Sequence, residues 1–98
     1  MFFKAFFTNT SREEIKLQMQ KDGFSPDIIN VPPGFIYESH THAETKYLVC
    51  LEGSMQVTVK EKTFDFEPLD KLIIDANTKH SATAGKNGCI FYWSEKVI

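Results

Sequence analysis

Residues 34–53 read GFIYESHTHAETKYLVCLEG, and the reading of this stretch decides the fold. His40 and His42 are separated by one residue. In an extended strand both imidazoles therefore project to the same face, with Cα atoms roughly 6.6 Å apart. From that spacing two ring nitrogens can reach one ion. The residues that follow, Tyr47 to Leu51, have the aromatic, β-branched and aliphatic composition of a strand. A polar, solvated strand edge is the other reading of the same letters, since Ser39, Thr41 and Thr45 would continue it. The remaining histidine, His80, opens another β-like run after Asn77-Thr78-Lys79. If that run lies opposite the first, three neutral imidazoles converge, a donor set suited to a divalent first-row ion. Donor softness does not choose among Fe, Mn, Ni, Zn and Cu.

Outward from this stretch, the chain after Phe24 consists of short β-like runs punctuated by Pro, Gly, Asp and Asn. Strands are expected at 27–31, 35–40, 46–52, 54–60, 63–66, 71–74, 80–84 and 89–94, intervals that suit a sandwich or small barrel. Gly53 leaves almost no loop between two of them and is read as a tight hairpin at positive φ. Gly85-Lys86-Asn87-Gly88 is read as a further break. Upstream, Ser11-Arg12-Glu13-Glu14 fits a capping box that starts a helix over about residues 12–22, with Gly23 as its stop. Ile15 and Met19 fit a helical stripe, whereas Ile15, Leu17 and Met19 together alternate like a strand. Helix formers decide for the helix. The opening MFFKAFF is expected to be extended and is too apolar for a bare edge, so it should pair across a homodimer or pack on the outer sheet.

Composition bounds the function. The chain has 98 residues, enough for one domain with a single modest core. Apolar residues make up 42% and charged ones 24%, and nine are Phe, the profile of a folded chain. With 11 basic and 13 acidic residues, and no block of like charges, it lacks the electrostatic footprint of a nucleic-acid or membrane partner. MFFKAFF is interrupted by Lys4 and offers neither a signal peptide nor a membrane span, so the expected compartment is the cytoplasm. Cys50 and Cys89 each sit in an apolar run, which points to two buried thiols rather than a disulfide.

The quoted stretch resembles the first motif of the cupin superfamily. That motif runs Gly, five residues, His-x-His, three or four residues, Glu, six residues, Gly; here stand Gly34, FIYES, His40-Thr41-His42, AET, Lys46, YLVCLE and Gly53. The second motif runs Gly, five residues, Pro-x-Gly, two residues, His, three residues, Asn. Its positions hold Leu69, DKLII, Asp75-Ala76-Asn77, TK, His80, SAT and Ala84, so His80 alone of its landmarks is retained. Asn77 stands at a Gly position and tolerates the left-handed conformation better than most residues. PLDKLIIDANTKHS is also similar to the family's usual PGD…IPAGTPHS. The resemblance covers roughly residues 30–94. It implies a mainly β fold, a double-stranded β-helix or jelly-roll barrel with a short N-terminal helix. It also implies one cupin domain over 1–98, with strand and helix in 1–24 and barrel in 25–98, and metal ligation by His40, His42 and His80. Activity is left open, because cupins include dioxygenases, decarboxylases, isomerases, epimerases, storage proteins and ligand-binding domains.

The family's fourth ligand is a glutamate, and Lys46 occupies its position. An ammonium about 5 Å from a divalent ion is repelled by about 7 kcal/mol at an effective dielectric near 20. Lys46 therefore turns away to Glu44 or Glu38, sits neutral in the site, or closes it to metal. Glu44 shares the parity of His42 and is the candidate fourth ligand if the strand stays extended; a bend after His42 sends it to solvent. Parity places Lys46, Leu48 and Cys50 on the histidine side, and Tyr47, Val49 and Leu51 on the other. In the last strand Cys89, Phe91 and Trp93 share a face. The expected pocket is Lys46, Leu48, Cys50, Phe91 and Trp93. Two classes of function follow. One is a metal-dependent enzyme, dioxygenase-like or isomerase-like, acting on a small anionic molecule. The other is a non-catalytic small-molecule binder or a metal-free scaffold barrel. Phosphosugar chemistry has less support, Arg12 being the only arginine.

Overall fold

The computed structural model describes residues 1–97, so Ile98, the last residue of the expected domain, lies outside the described residues. Helix α1 (Arg12–Lys21) begins as the capping box requires. The Glu14 amide donates to the Ser11 hydroxyl at 3.2 Å, and the Ser11 amide donates to the Glu14 carboxylate at 3.0 Å. Ile15 and Met19 are buried one turn apart while Leu17 is exposed, so the helical stripe prevails over the strand-like alternation.

Seven strands follow one another as β1 (Phe2–Phe3), β2 (Asp27–Val31), β3 (Ile36–His40), β4 (Thr45–Val59), β5 (Lys62–Phe66), β6 (Lys71–Ile74) and β7 (His80–Lys96), with α1 between β1 and β2. The sheet runs β1-β6-β4-β7-β2, with β3 also on β7 and β5 also on β4. Every pairing is antiparallel. The long strands β4 and β7 form the spine, paired from Thr45↔Lys96 to Val59↔His80. Their register shifts between Cys50 and Met55, and such bulges bend and twist a strand. The two halves of the sheet thereby fold into a jelly-roll barrel.

Two expected breaks are corrected by the strand pairing. The expected strands 46–52 and 54–60 merge into the single strand β4, which ends at Val59, and 80–84 and 89–94 into the single strand β7. Gly53 does take positive φ, at +73°, but in a bulge rather than a hairpin. A Cβ at Gly53 would stand 2.1 Å from the Gly88 carbonyl oxygen, so the close approach of β4 and β7 requires glycine. Residues 85–88 are the extra length of β7 taken up opposite Ser54.

The strands divide the apolar residues by parity. Cys50, Met55, Val57, Phe66, Leu72 and Phe91 belong to the core inside the barrel, with Leu48 and Trp93 packed against it. Tyr47, Val49 and Tyr92 face the other way, against Ile15 and Met19 of α1 and against Phe7. The N-terminal segment finds its partners within its own chain, since Phe2 and Phe3 pair with Leu72 and Lys71 of β6. Asp70, 1% exposed, holds the segment down by accepting from the Ala5 amide at 2.7 Å and from Lys4 Nζ at 3.0 Å. Among the described residues no helix is long and apolar enough to cross a membrane.

Candidate metal centre

Three chain segments bring the histidines together. His40 is the last residue of β3, His42 follows in the loop, and His80 opens β7 as the cross-strand partner of His40. The Asn77 amide donates to the His42 carbonyl at 2.6 Å, tying that loop to the turn before β7. Asn77 has φ +60°, the left-handed conformation expected of it. The imidazole ring centroids lie 4.4 Å apart for His40 and His80, 4.5 Å for His40 and His42, and 5.3 Å for His42 and His80. One ligand atom from each lies within 4.8 Å of the others, and all three side chains are partly buried.

The rings are also prepared electronically. His80 Nδ1 donates to the Thr78 carbonyl at 2.9 Å, and His40 Nδ1 makes the same contact with the Glu38 carbonyl. A proton held at Nδ1 leaves the Nε2 lone pair free for a metal, the usual division of labour in a ligating imidazole. Burial lowers the pKa of His42, with Lys46 and His40 adding to the effect. Burial also lowers that of His80, the neighbouring His40, His42 and Lys46 adding to it against the Thr78 carbonyl. Both therefore favour the neutral, ligating form at pH 7. A cluster of three imidazoles fits a divalent first-row ion.

The histidines open into a cavity of about 340 Å³. Of the residues expected in its wall, Lys46, Leu48, Phe91 and Trp93 line it; Ile29, Tyr37, Met55 and Ile74 join them. Cys50 and Glu44 stand apart from these groups. Cys50 is absent from the lining and belongs to the barrel core, with its Sγ 3.6 Å from that of Cys89. Both thiols are free and buried. The Cys50 thiol is pushed well above its ordinary range by its hydrogen bond to Cys89 and by burial. Glu44 stands outside the three-histidine group. The chain bends at Ala43 and Glu44 before β4 begins at Thr45, so the parity that would have aimed Glu44 inward is broken.

Lys46 takes a partner that sequence reasoning missed. It is 8% exposed and lines the cavity. Its ammonium is ion-paired with Glu95 and lies 4.3 Å from the centroid of the Trp93 ring. Lys46 and Glu95 are cross-strand neighbours on β4 and β7, a relation visible only once the register is known. Glu38 and Glu44 do not hold it. A wider cleft of about 1030 Å³ shares His80 and is bordered by Lys60, Lys62 and Lys79.

The cupin domain family model matches residues 27–94. No curated protein matches the chain. Among solved structures it is similar to the cupin domain of Schizosaccharomyces pombe Cnp3, with TM-score 0.70 and 19% identity over 76% of this chain and 56% of that one. It is also similar to an RmlC-like cupin from Shewanella frigidimarina, with TM-score 0.65 and 17% identity over 74% of this chain and 65% of that one. KdgF from Halomonas sp. gives TM-score 0.65 and 15% identity over 74% of this chain and 68% of that one. The chain thus spans little more than half of the first and about two thirds of the others. At such identities the likeness shows the fold alone.

Proposed function

The chain belongs to the cupin family, and on that premise we propose that it is a small metal-binding cupin. His40, His42 and His80 hold one divalent first-row transition ion, and the adjoining cavity takes a small anionic molecule. The observation that carries this reading is the convergence of all three histidines of the chain, from β3, its following loop and β7, on one point at the cavity. When bound, such an ion polarises an oxygen of the small molecule or activates dioxygen, the chemistry of an isomerase-like or dioxygenase-like cupin. The chain's own part is to present three imidazoles, to hold Lys46 to one side through Glu95, and to exclude water with Leu48, Ile74 and Phe91. The whole chain acts as one domain, in the cytoplasm, as a homodimer.

A binding module without chemistry is the second reading, and Lys46 in the cavity wall is the observation that favours it, because no other cation lines that cavity. Its tether to Glu95 tips the balance toward the metal. Plasma mass spectrometry on untagged protein, purified without chelator, decides between them. Near-stoichiometric metal in the wild type, lost in the His40→Ala/His80→Ala variant, is expected. Only trace metal after incubation with Fe, Mn, Ni and Zn would leave the second reading standing.

A further inference from the structure

The charge balance of the cavity points to its ligand: we propose that it takes an apolar monocarboxylate, whose negative charge is held jointly by the metal centre and the Lys46 ammonium. This deepens the metal-binding reading and rests on it. Three neutral imidazoles contribute donor atoms and no charge. None of the lining residues is Asp or Glu. A divalent ion at the histidines thus keeps its full charge beside Lys46, and Glu95 cancels only the ammonium, from a side chain 37% exposed at the edge. Charge enclosed by an apolar wall without a counter-charge is costly, and an anion removes that cost where a neutral molecule of the same shape does not.

The polar groups of the wall agree with this. Beyond the histidines they offer donors in the Lys46 ammonium and in the Tyr37 hydroxyl, which can also accept. Lys46 is pinned between Glu95 and the Trp93 ring, so its ammonium is already in place when an anion arrives. The rest of the wall, Leu48, Ile74 and Phe91 among it, asks for an apolar body, and about 340 Å³ limits that body to a small one.

The experiment loads the protein with Co²⁺ and compares benzoate with benzamide, which share a shape and differ in charge. Calorimetry is expected to give benzoate an affinity about tenfold or more above that of benzamide. Benzoate should also alter the visible Co²⁺ spectrum and, by reciprocity, raise the affinity for Co²⁺. Lys46→Met should weaken benzoate about fivefold or more while leaving Co²⁺ affinity equal or higher, since it removes a like charge. Equal affinities for the two probes in the wild type, which depend on no variant, would overturn the proposal and leave the three-histidine site intact. Failure to take up Co²⁺ would overturn both.

Discussion

His40 and His80 each commit Nδ1 to a backbone carbonyl two residues upstream, so the end of β3 and the turn before β7 set the tautomer as well as the position of the ring. The lowered pKa of His42 and His80 has a thermodynamic counterpart in the metal-free protein. As pH falls the unfolded chain takes up these protons before the folded chain does. Their stabilising contribution is therefore complete above about pH 6.5, the ordinary histidine value, and is lost as pH falls through their lowered folded values. Urea midpoints of the apo protein should decline below that point, and His80→Ala should make the decline shallower; an unchanged slope would mean that burial does not hold the His80 ring neutral. Asn77 supplies a second check. At φ +60° a β-branched residue is strained, so Asn77→Val is expected to cost about 1–2 kcal/mol in urea unfolding, and Asn77→Gly close to nothing. At this scale the three-histidine cluster was legible from the His-x-His spacing and from the third histidine at the start of another β-like run. Glu44 was left open between ligand and solvent, since parity alone does not show the bend at 43–44, and Glu95 was not legible, since only strand register makes it the neighbour of Lys46.

Among the elements, β4 and β7 determine where the site lies. They run past each other for their full length, and the bulge near Gly53 separates a half that pairs with β6 and β2 from a half that pairs with β5 and β3. The cavity draws on both halves, taking Lys46 and Leu48 from one and Met55 and His80 from the other. Gly53→Ala should therefore cost about 3 kcal/mol, from positive φ and from the clash with Gly88, and should loosen metal binding as well as the fold. Thermal melts and metal titration of that variant check both. The helix and five of the strands were readable locally, from the capping box at Ser11 and from β-rich runs between breakers. The two long strands were not. Glycine at positive φ serves a hairpin and a bulge equally well, and what separates them is the pairing of β4 with β7, distant in sequence.

For the molecule as a whole, the N-terminal strap and the exposed apolar residues carry the remaining expectations. Asp70 accepts from the Ala5 and Glu67 amides and from Lys4, so Asp70→Ala removes the shared acceptor of three hydrogen bonds, one of them an ion pair. A loss of about 2–3 kcal/mol is expected in urea unfolding. Ile28, Phe35 and Ile36 are exposed on or beside β2 and β3, strands that flank the same side of β7, and the proposed homodimer would cover them. Light scattering should give twice the 11.2 kDa chain mass, and Ile28→Glu/Ile36→Glu should reduce it to one; a wild-type monomer would exclude the dimer. The central claim concerns the histidines, and anomalous diffraction from crystals grown with Zn²⁺ tests it most directly. A single peak per chain, about 2.0–2.1 Å from one nitrogen each of His40, His42 and His80, is the expected result. No peak there, or a peak elsewhere on the chain, would contradict it.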